Sequence, residues 1–276
     1  MIVHLVDGTY ELFRHFYGAR RATNGEDTRF GGLRGVLAGV LQMIEKGSTH
    51  IGVATDHIIE SFRNALWPGY KTGAGIDRVL WSQFHPLEEG LEAMGVAVWP
   101  MVDLEADDAL ASAAHLAKSN RKVEKICIWT PDKDLAQCVV GDRVVQVDGR
   151  RNIIRDAAGV EAKFGVPPES IPDYLALVGD AADGYPGIPG FGAKRAAAIL
   201  KRFRTIEAIE DDRLSAHRDM ALLFKKLATL RTDAELFDDV DALRWRGPTP
   251  AFTAFAERIE APELARRAAK AAERQG

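Results

Sequence analysis

Five short runs of β-branched and aliphatic residues constrain this chain most: Ile2–Val6, Ile51–Thr55, Val96–Trp99, Ile126–Trp129 and Val144–Val147. Each is near-continuously apolar, the pattern of a strand buried on both faces. Between them, Phe30–Lys46, Trp81–Met94 and Glu105–Ser119 carry apolar residues at helical spacing. Strands alternating with helices predict an α/β domain over residues 1–155, a parallel sheet flanked by helices. Beyond Arg155 the pattern turns helical, with Asp156–Phe164, Ser170–Val178, Ala193–Phe203, Ala216–Leu230 and Pro262–Arg274 reading as helices. A helical domain over 156–276 is therefore expected, its turns marked by Pro167-Pro168 and by the glycines and prolines from Gly184 to Gly192.

Composition closes off other classes. The chain has 276 residues, 46% hydrophobic and 28% charged, which excludes a mainly disordered, collagen-like or coiled-coil protein. No stretch approaches the ~20 apolar residues of a membrane helix, so no membrane partner is expected. Met1–Gly8 lacks a basic leader. Cys127 and Cys138 form no CxxC pair, which rules out a disulfide scaffold or zinc finger and makes the cytoplasm the expected compartment.

The acids gather where strands end. Asp7 closes the first run and Asp56 the second; Glu105, Asp107 and Asp108 open the helix after the third; Asp132 and Asp134 follow the fourth. The carboxyl ends of parallel strands form one edge of the sheet, where ligand crevices lie. Taken singly, Asp7-Gly8 reads as a turn, and the acids of 105–108 and Asp132 read as helix caps. Their coincidence on one edge favours a shared cleft. Carboxylates so close repel one another unless a cation intervenes, and all-oxygen ligands suit Mg²⁺ or Mn²⁺ better than zinc. Asp180 and Asp183, three residues apart, add two acids from the helical half.

A basic glycine hairpin follows. Pro186–Lys194 holds the turn Gly190-Phe191-Gly192 and leads into an alanine-rich helix. From Gly184 to Arg204 the charged residues are Lys194, Arg195, Lys201, Arg202 and Arg204, without an acid. A Gly-x-Gly turn opening a helix lets backbone N–H groups approach a phosphate, and one-signed charge favours a nucleic-acid backbone. The formal net charge of −4 is no objection, because it sums an acidic pit with basic surroundings.

Leu5-Val6-Asp7-Gly8, Ser61-Phe62-Arg63, Tyr70-Lys71, Glu105-Ala106-Asp107-Asp108, Thr130–Leu135, Gly179–Asp183 and Pro186–Lys194 together resemble the bacterial 5′→3′ exonucleases and flap endonucleases, in type, order and spacing from Ile2 to about Asp233. The resemblance implies a PIN-like nuclease fold with an arch at about 58–84. It also implies a helix–three-turn–helix DNA-binding module at about 173–204, and a stand-alone nuclease. It implies metal ligation by Asp7, Asp56, Glu105, Asp107 and Asp108 as one group and by Asp132, Asp134, Asp180 and Asp183 as another. Two Mg²⁺ or Mn²⁺ ions per site are expected, with K⁺ as a candidate at the hairpin. Lys71 and Arg63 would contact the scissile phosphate, and Phe13 would stack on a base or serve as a core aromatic. Gly190, Gly192, Lys194, Arg195, Lys201 and Arg202 would hold the duplex of a DNA with a 5′ end or 5′ flap.

The chain departs from that pattern in places. Gly184 stands where asparagine is usual, Pro131 where alanine or glycine is usual, and Thr72–Gly75 lacks the usual arginine and prolines. An arch that is short, and poorly ordered before substrate binds, is expected. A haloacid-dehalogenase phosphatase would need an aspartate at Leu5. A PIN-type ribonuclease would leave the hairpin unexplained. An inactive nuclease-derived DNA-binding module would leave the full set of acids unexplained.

Overall fold

The computed structural model describes residues 1–22 and 29–275. The chain runs β1 (Ile2–Asp7), α1 (Gly8–Ala22), α2 (Gly31–Glu45), β2 (His50–Asp56), α3 (Phe62–Leu66), α4 (Arg78–Trp81) and α5 (Phe84–Ala93). It continues through β3 (Ala97–Met101), α6 (Ala106–Ser119), β4 (Lys125–Trp129), β5 (Val144–Asp148) and β6 (Ile153–Arg155). Helices α7 (Ala157–Phe164), α8 (Ile171–Val178), α9 (Ala193–Phe203), α10 (Asp212–Ser215) and α11 (Arg218–Ala228) follow, then α12 (Phe252–Arg258) and α13 (Pro262–Gln275).

The strands form one sheet in the order β3-β2-β1-β4-β5-β6. All neighbours are parallel except β5 and β6. The apolar runs are continuous because both faces are covered. On β1, Val3 and Leu5 pack towards α6 while Val6 packs towards α1, α2 and α5. The chain passes from β1 to β2 and β3 on one side, then returns to add β4 and β5 on the other. A crevice opens at such a reversal, between the carboxyl ends of β1 and β4. Asp7 and the segment 130–134 flank it.

Two differences from the expected layout matter. Strand β6 has only three residues, with Ile153 and Ile154 exposed, so its sequence looks like a loop. The division at 155/156 also needs correction, because the C-terminal stretch is not part of the helical domain. Trp245, Phe252, Phe255, Ile259 and Leu264 bury themselves in the cluster formed by α2 and α5. The helical region from Val160 to Ala228 forms a second core, which Tyr70, Ala136 and Val139 of the α/β domain join. It is thus held at both ends by the α/β domain.

The arch region consists of two short helices, α3 and α4, joined by 67–77. Residues 71–77 take neither helix nor strand, and Gly73 N–H donates to Glu60 at 2.9 Å.

Candidate active site

Asp7 ends β1 with its carboxylate fixed by two donors, Tyr10 N–H at 2.8 Å and Thr130 Oγ1 at 3.0 Å. Asp56 ends β2 and accepts from the Ala106 N–H at 2.8 Å, tying it to the start of α6. Glu105 accepts from Ser61 Oγ at 2.7 Å and lies 2.6 Å from Lys71 Nζ. Asp132 is exposed after β4, and its Oδ1 accepts from the Asp134 N–H at 3.0 Å. Across the crevice, Asp180 pairs with Lys133 at 2.8 Å and Asp183 with Lys71 at 3.2 Å. Oxygens of Asp134, Asp180 and Asp183 lie within 4.8 Å of one another.

The electrostatics show how tightly these groups are held. Burial, followed by the charges of Asp56 and Asp132, pushes Asp7 up to about 7. Burial and the charge of Asp132 raise Asp107 and Asp134 well above the usual carboxylate range. Burial also raises Asp56 and Asp183. Glu105 goes the other way. Burial would raise it, but Lys71 and Arg63 hold it low. Lys71 is kept protonated against burial by Glu105 and Asp183. Asp132 acts on Asp7 and Asp107 on one side and on Asp134 and Asp183 on the other, so the two expected ligand groups share one pit.

Asp134 shows how these residues would suit a cation. It is 5% exposed, and its Oδ1 has no hydrogen-bond partner. A bare buried carboxylate oxygen is costly, and a hard cation satisfies it. The donor set is all oxygen, which fits a divalent cation of the Mg²⁺ class.

The hairpin lies beside the pit. Asp180 and Tyr185 exchange backbone bonds of 2.9 and 3.0 Å, closing the turn after α8. Gly184 has φ +84, and a Cβ there would stand 1.9 Å from the Gly69 carbonyl, which accounts for the missing asparagine. Gly192 caps α9 with ordinary backbone, and no atom lies within 4 Å of where its Cβ would be. The space before the α9 N-terminus is open to an anion. Lys194, Lys201 and Arg202 are exposed, whereas Arg195 is half-buried, 2.8 Å from Asp211 and over the Phe191 ring.

The sequence matches the 5'-3' exonuclease N-terminal resolvase-like domain over residues 2–165 and the 5'-3' exonuclease C-terminal SAM fold over 166–251. The chain belongs to the 5'-3' exonuclease family. It is 32% identical over 248 residues to a 5'-3' exonuclease of Buchnera aphidicola subsp. Baizongia pistaciae, covering 83% of this chain and 81% of that protein. It is 31% identical over 260 residues to DNA polymerase I of Pseudomonas aeruginosa, covering 87% of this chain but only 28% of that protein. The fold is similar to the bacteriophage T5 flap endonuclease solved as a pseudo-enzyme-product complex with DNA and metal ions. That match has TM-score 0.68 and 19% identity, with 96% and 100% of the two chains covered.

In this 5'-3' exonuclease two expected site residues are turned away from the pit. Arg63 is 1% exposed and Asp108 fully buried, and each guanidinium–carboxylate contact between them measures 2.7 Å. Asp108 also accepts from the N–H groups of Glu105 and Arg231, so its oxygens are used up. It is therefore not available as a metal ligand. Nor is Arg63 available to a phosphate: it also donates to Glu105 Oε1 and to the Leu227 and Thr229 carbonyls. It orients Glu105 from behind. Phe13 is half-buried at the rim of the core, edge-on to Phe84 at 6.0 Å. Lys133 was missed from sequence. Lying between two acids, it looks like a solvated lysine, and only the fold brings it to Asp180.

Proposed function

We propose that this 5'-3' exonuclease hydrolyses DNA phosphodiester bonds at 5′ ends and 5′ flaps, using two divalent cations, Mg²⁺ or Mn²⁺, in the acid pit. The unpartnered Asp134 oxygen among Asp180 and Asp183 carries this reading. Asp7, Asp56, Glu105 and Asp107 would hold one cation; Asp132, Asp134, Asp180 and Asp183 would hold the other. Bound there, such ions supply Lewis-acid charge beside a phosphate and make a water easier to deprotonate.

The chain's own groups do the rest. Lys71, kept protonated by Glu105 and Asp183, brings a positive charge to where a phosphoryl oxygen gains negative charge. Gly190, Gly192, Lys194, Lys201 and Arg202 hold duplex backbone without reading sequence, with K⁺ a candidate ion at the turn. Arg195 joins them once its pair with Asp211 opens. Phe13, at the pit end of α1, stacks on a base. Two free cysteines fit a reducing compartment such as the cytoplasm.

A labelled 5′-flap duplex, a blunt duplex and a single strand, each incubated with Mg²⁺, Mn²⁺ or EDTA, test the proposal. Flap cleavage that EDTA abolishes is the expected result. Tight binding without cleavage in either metal would leave a DNA-binding module.

A further inference from the structure

We propose that Lys133 is a built-in counter-ion of the pit, a positioning residue that holds Asp180 in the metal-free protein and must release it before that carboxylate can take a divalent cation. This deepens the metal-dependent reading above and rests on it.

Lys133 sits between Asp132 and Asp134 in the turn after β4. A lysine in such a turn ordinarily extends into water. Its Nζ lies instead 2.8 Å from Asp180 Oδ2, across the crevice, in the turn that follows α8. Asp180 is its one ion-pair partner among the described residues. The side chain of Lys133 is 35% exposed and that of Asp180 3%, so a part-exposed ammonium neutralises a buried carboxylate. That carboxylate is fixed in place. Its Oδ1 accepts from the Ala182 N–H at 2.9 Å, and its backbone pairs with Tyr185 at 2.9 and 3.0 Å.

Both oxygens of Asp180 therefore have donors, whereas Asp134 Oδ1, in the same cluster, has none. Oxygens of Asp134, Asp180 and Asp183 come within 4.8 Å of one another. Carboxylates at that spacing repel, and the Lys133 ammonium offsets part of the repulsion. It does so where a metal ion would. An ammonium and a divalent cation on one carboxylate repel each other strongly in a part-buried site. Lysine suits an exchange of this kind, because its charge sits on a flexible four-carbon stem without the rigid fork of an arginine. Asp180 thus joins a metal site only by giving up Lys133, and the lysine sets how readily the pit fills.

The test uses the full chain as wild type, Lys133→Met, Lys133→Arg, Asp180→Asn and the double variant Lys133→Met with Asp180→Asn. Mn²⁺ binding is titrated by electron paramagnetic resonance without DNA, and melting in EDTA is followed in parallel. Lys133→Met keeps the apolar stem and removes the charge, and is expected to tighten Mn²⁺ binding by roughly tenfold. Its melting temperature in EDTA should fall, because Asp180 is left buried without its partner, and saturating Mn²⁺ should close that gap. Lys133→Arg keeps a cation on Asp180 and should not tighten binding. In the Asp180→Asn background Lys133→Met should change the affinity by less than about threefold. Unchanged or weaker Mn²⁺ binding in Lys133→Met, tighter binding in Lys133→Arg, an equal gain in the Asp180→Asn background, or a melting temperature in EDTA that does not fall would each overturn the proposal. If wild type binds no Mn²⁺, the metal reading of the pit fails and the role of Lys133 falls with it. If Asp180→Asn weakens binding while Lys133→Met does not strengthen it, the metal reading stands and the lysine's role alone is lost.

Discussion

Arg63 and Asp108 meet through two parallel contacts of 2.7 Å in the interior, with Arg63 on α3 and Asp108 in the first turn of α6. The same guanidinium reaches the carbonyl of Leu227 at the end of α11, so one side chain joins the arch base, the sheet domain and the helical domain.

Removing one partner of a buried ion pair leaves the other charged and unpaired. Arg63→Ala and Asp108→Ala should each cost about 3–5 kcal/mol of stability. Denaturant melts of the metal-free proteins measure this. An Arg63→Ala protein that melts like the parent but has lost turnover would return the arginine to the substrate.

Asp107→Asn addresses the pit from the other side. It removes an acid that burial and Asp132 make costly to ionise, so metal-free stability should rise while Mg²⁺-dependent cleavage falls by at least about a hundredfold. Melting in EDTA and single-turnover assays check the two halves. Near-normal cleavage would take Asp107 out of the metal site.

Asp7 gives the metal-free protein a pH dependence of definite sign. Its pKa is the ordinary 3.8 when unfolded and about 7 when folded, so between those values the folded state holds the extra proton. The stabilisation is complete below the unfolded value and is lost as pH rises through the folded one. From pH 4 to 8 the Asp7 contribution should fall by roughly 2–4 kcal/mol. The difference between wild type and Asp7→Asn isolates it, and saturating Mg²⁺ should abolish it. A difference independent of pH would contradict the raised value.

Lys71 should matter to rate more than to grip. Its Nζ lies among Glu105 and Asp183, and in the proposed reaction it would meet charge that develops only in the transition state. Lys71→Ala is expected to slow single-turnover cleavage roughly a hundredfold with affinity for the same flap nearly unchanged. Equal losses in both would make it a binding residue.

At the hairpin, Lys194→Glu should weaken duplex binding and lower the slope of log affinity against log salt by about 1. Arg195→Glu should do less, because Asp211 and Phe191 already occupy that guanidinium. Salt titrations by fluorescence anisotropy compare the two, and an unchanged slope in both assigns the hairpin to packing.

Much of this was legible in the sequence because parallel strands leave a plain record. Burial on both faces makes Ile2–Val6 and Ile126–Trp129 apolar throughout, and parallel pairing brings Asp7 and Asp132 to the same edge. What the sequence hid was direction. Asp107 and Asp108 are adjacent, yet one lies in the pit and the other pairs with Arg63, 45 residues away in the chain. Local pattern also carries no address. Pro262–Arg274 reads as an amphipathic helix, but nothing in it says that α2 is what it covers.

The return of α12 and α13 to the sheet domain leaves the helical region spliced into its host at two points. Two covalent connections, the shared core of Tyr70, Ala136 and Val139, and the 3.0 Å bond from Lys71 N–H to the Asp183 carbonyl hold it against the sheet domain. The hairpin and the acid pit are therefore held at a fixed separation. If they grip and cut DNA as proposed, the number of nucleotides between the two is set by the route of the chain.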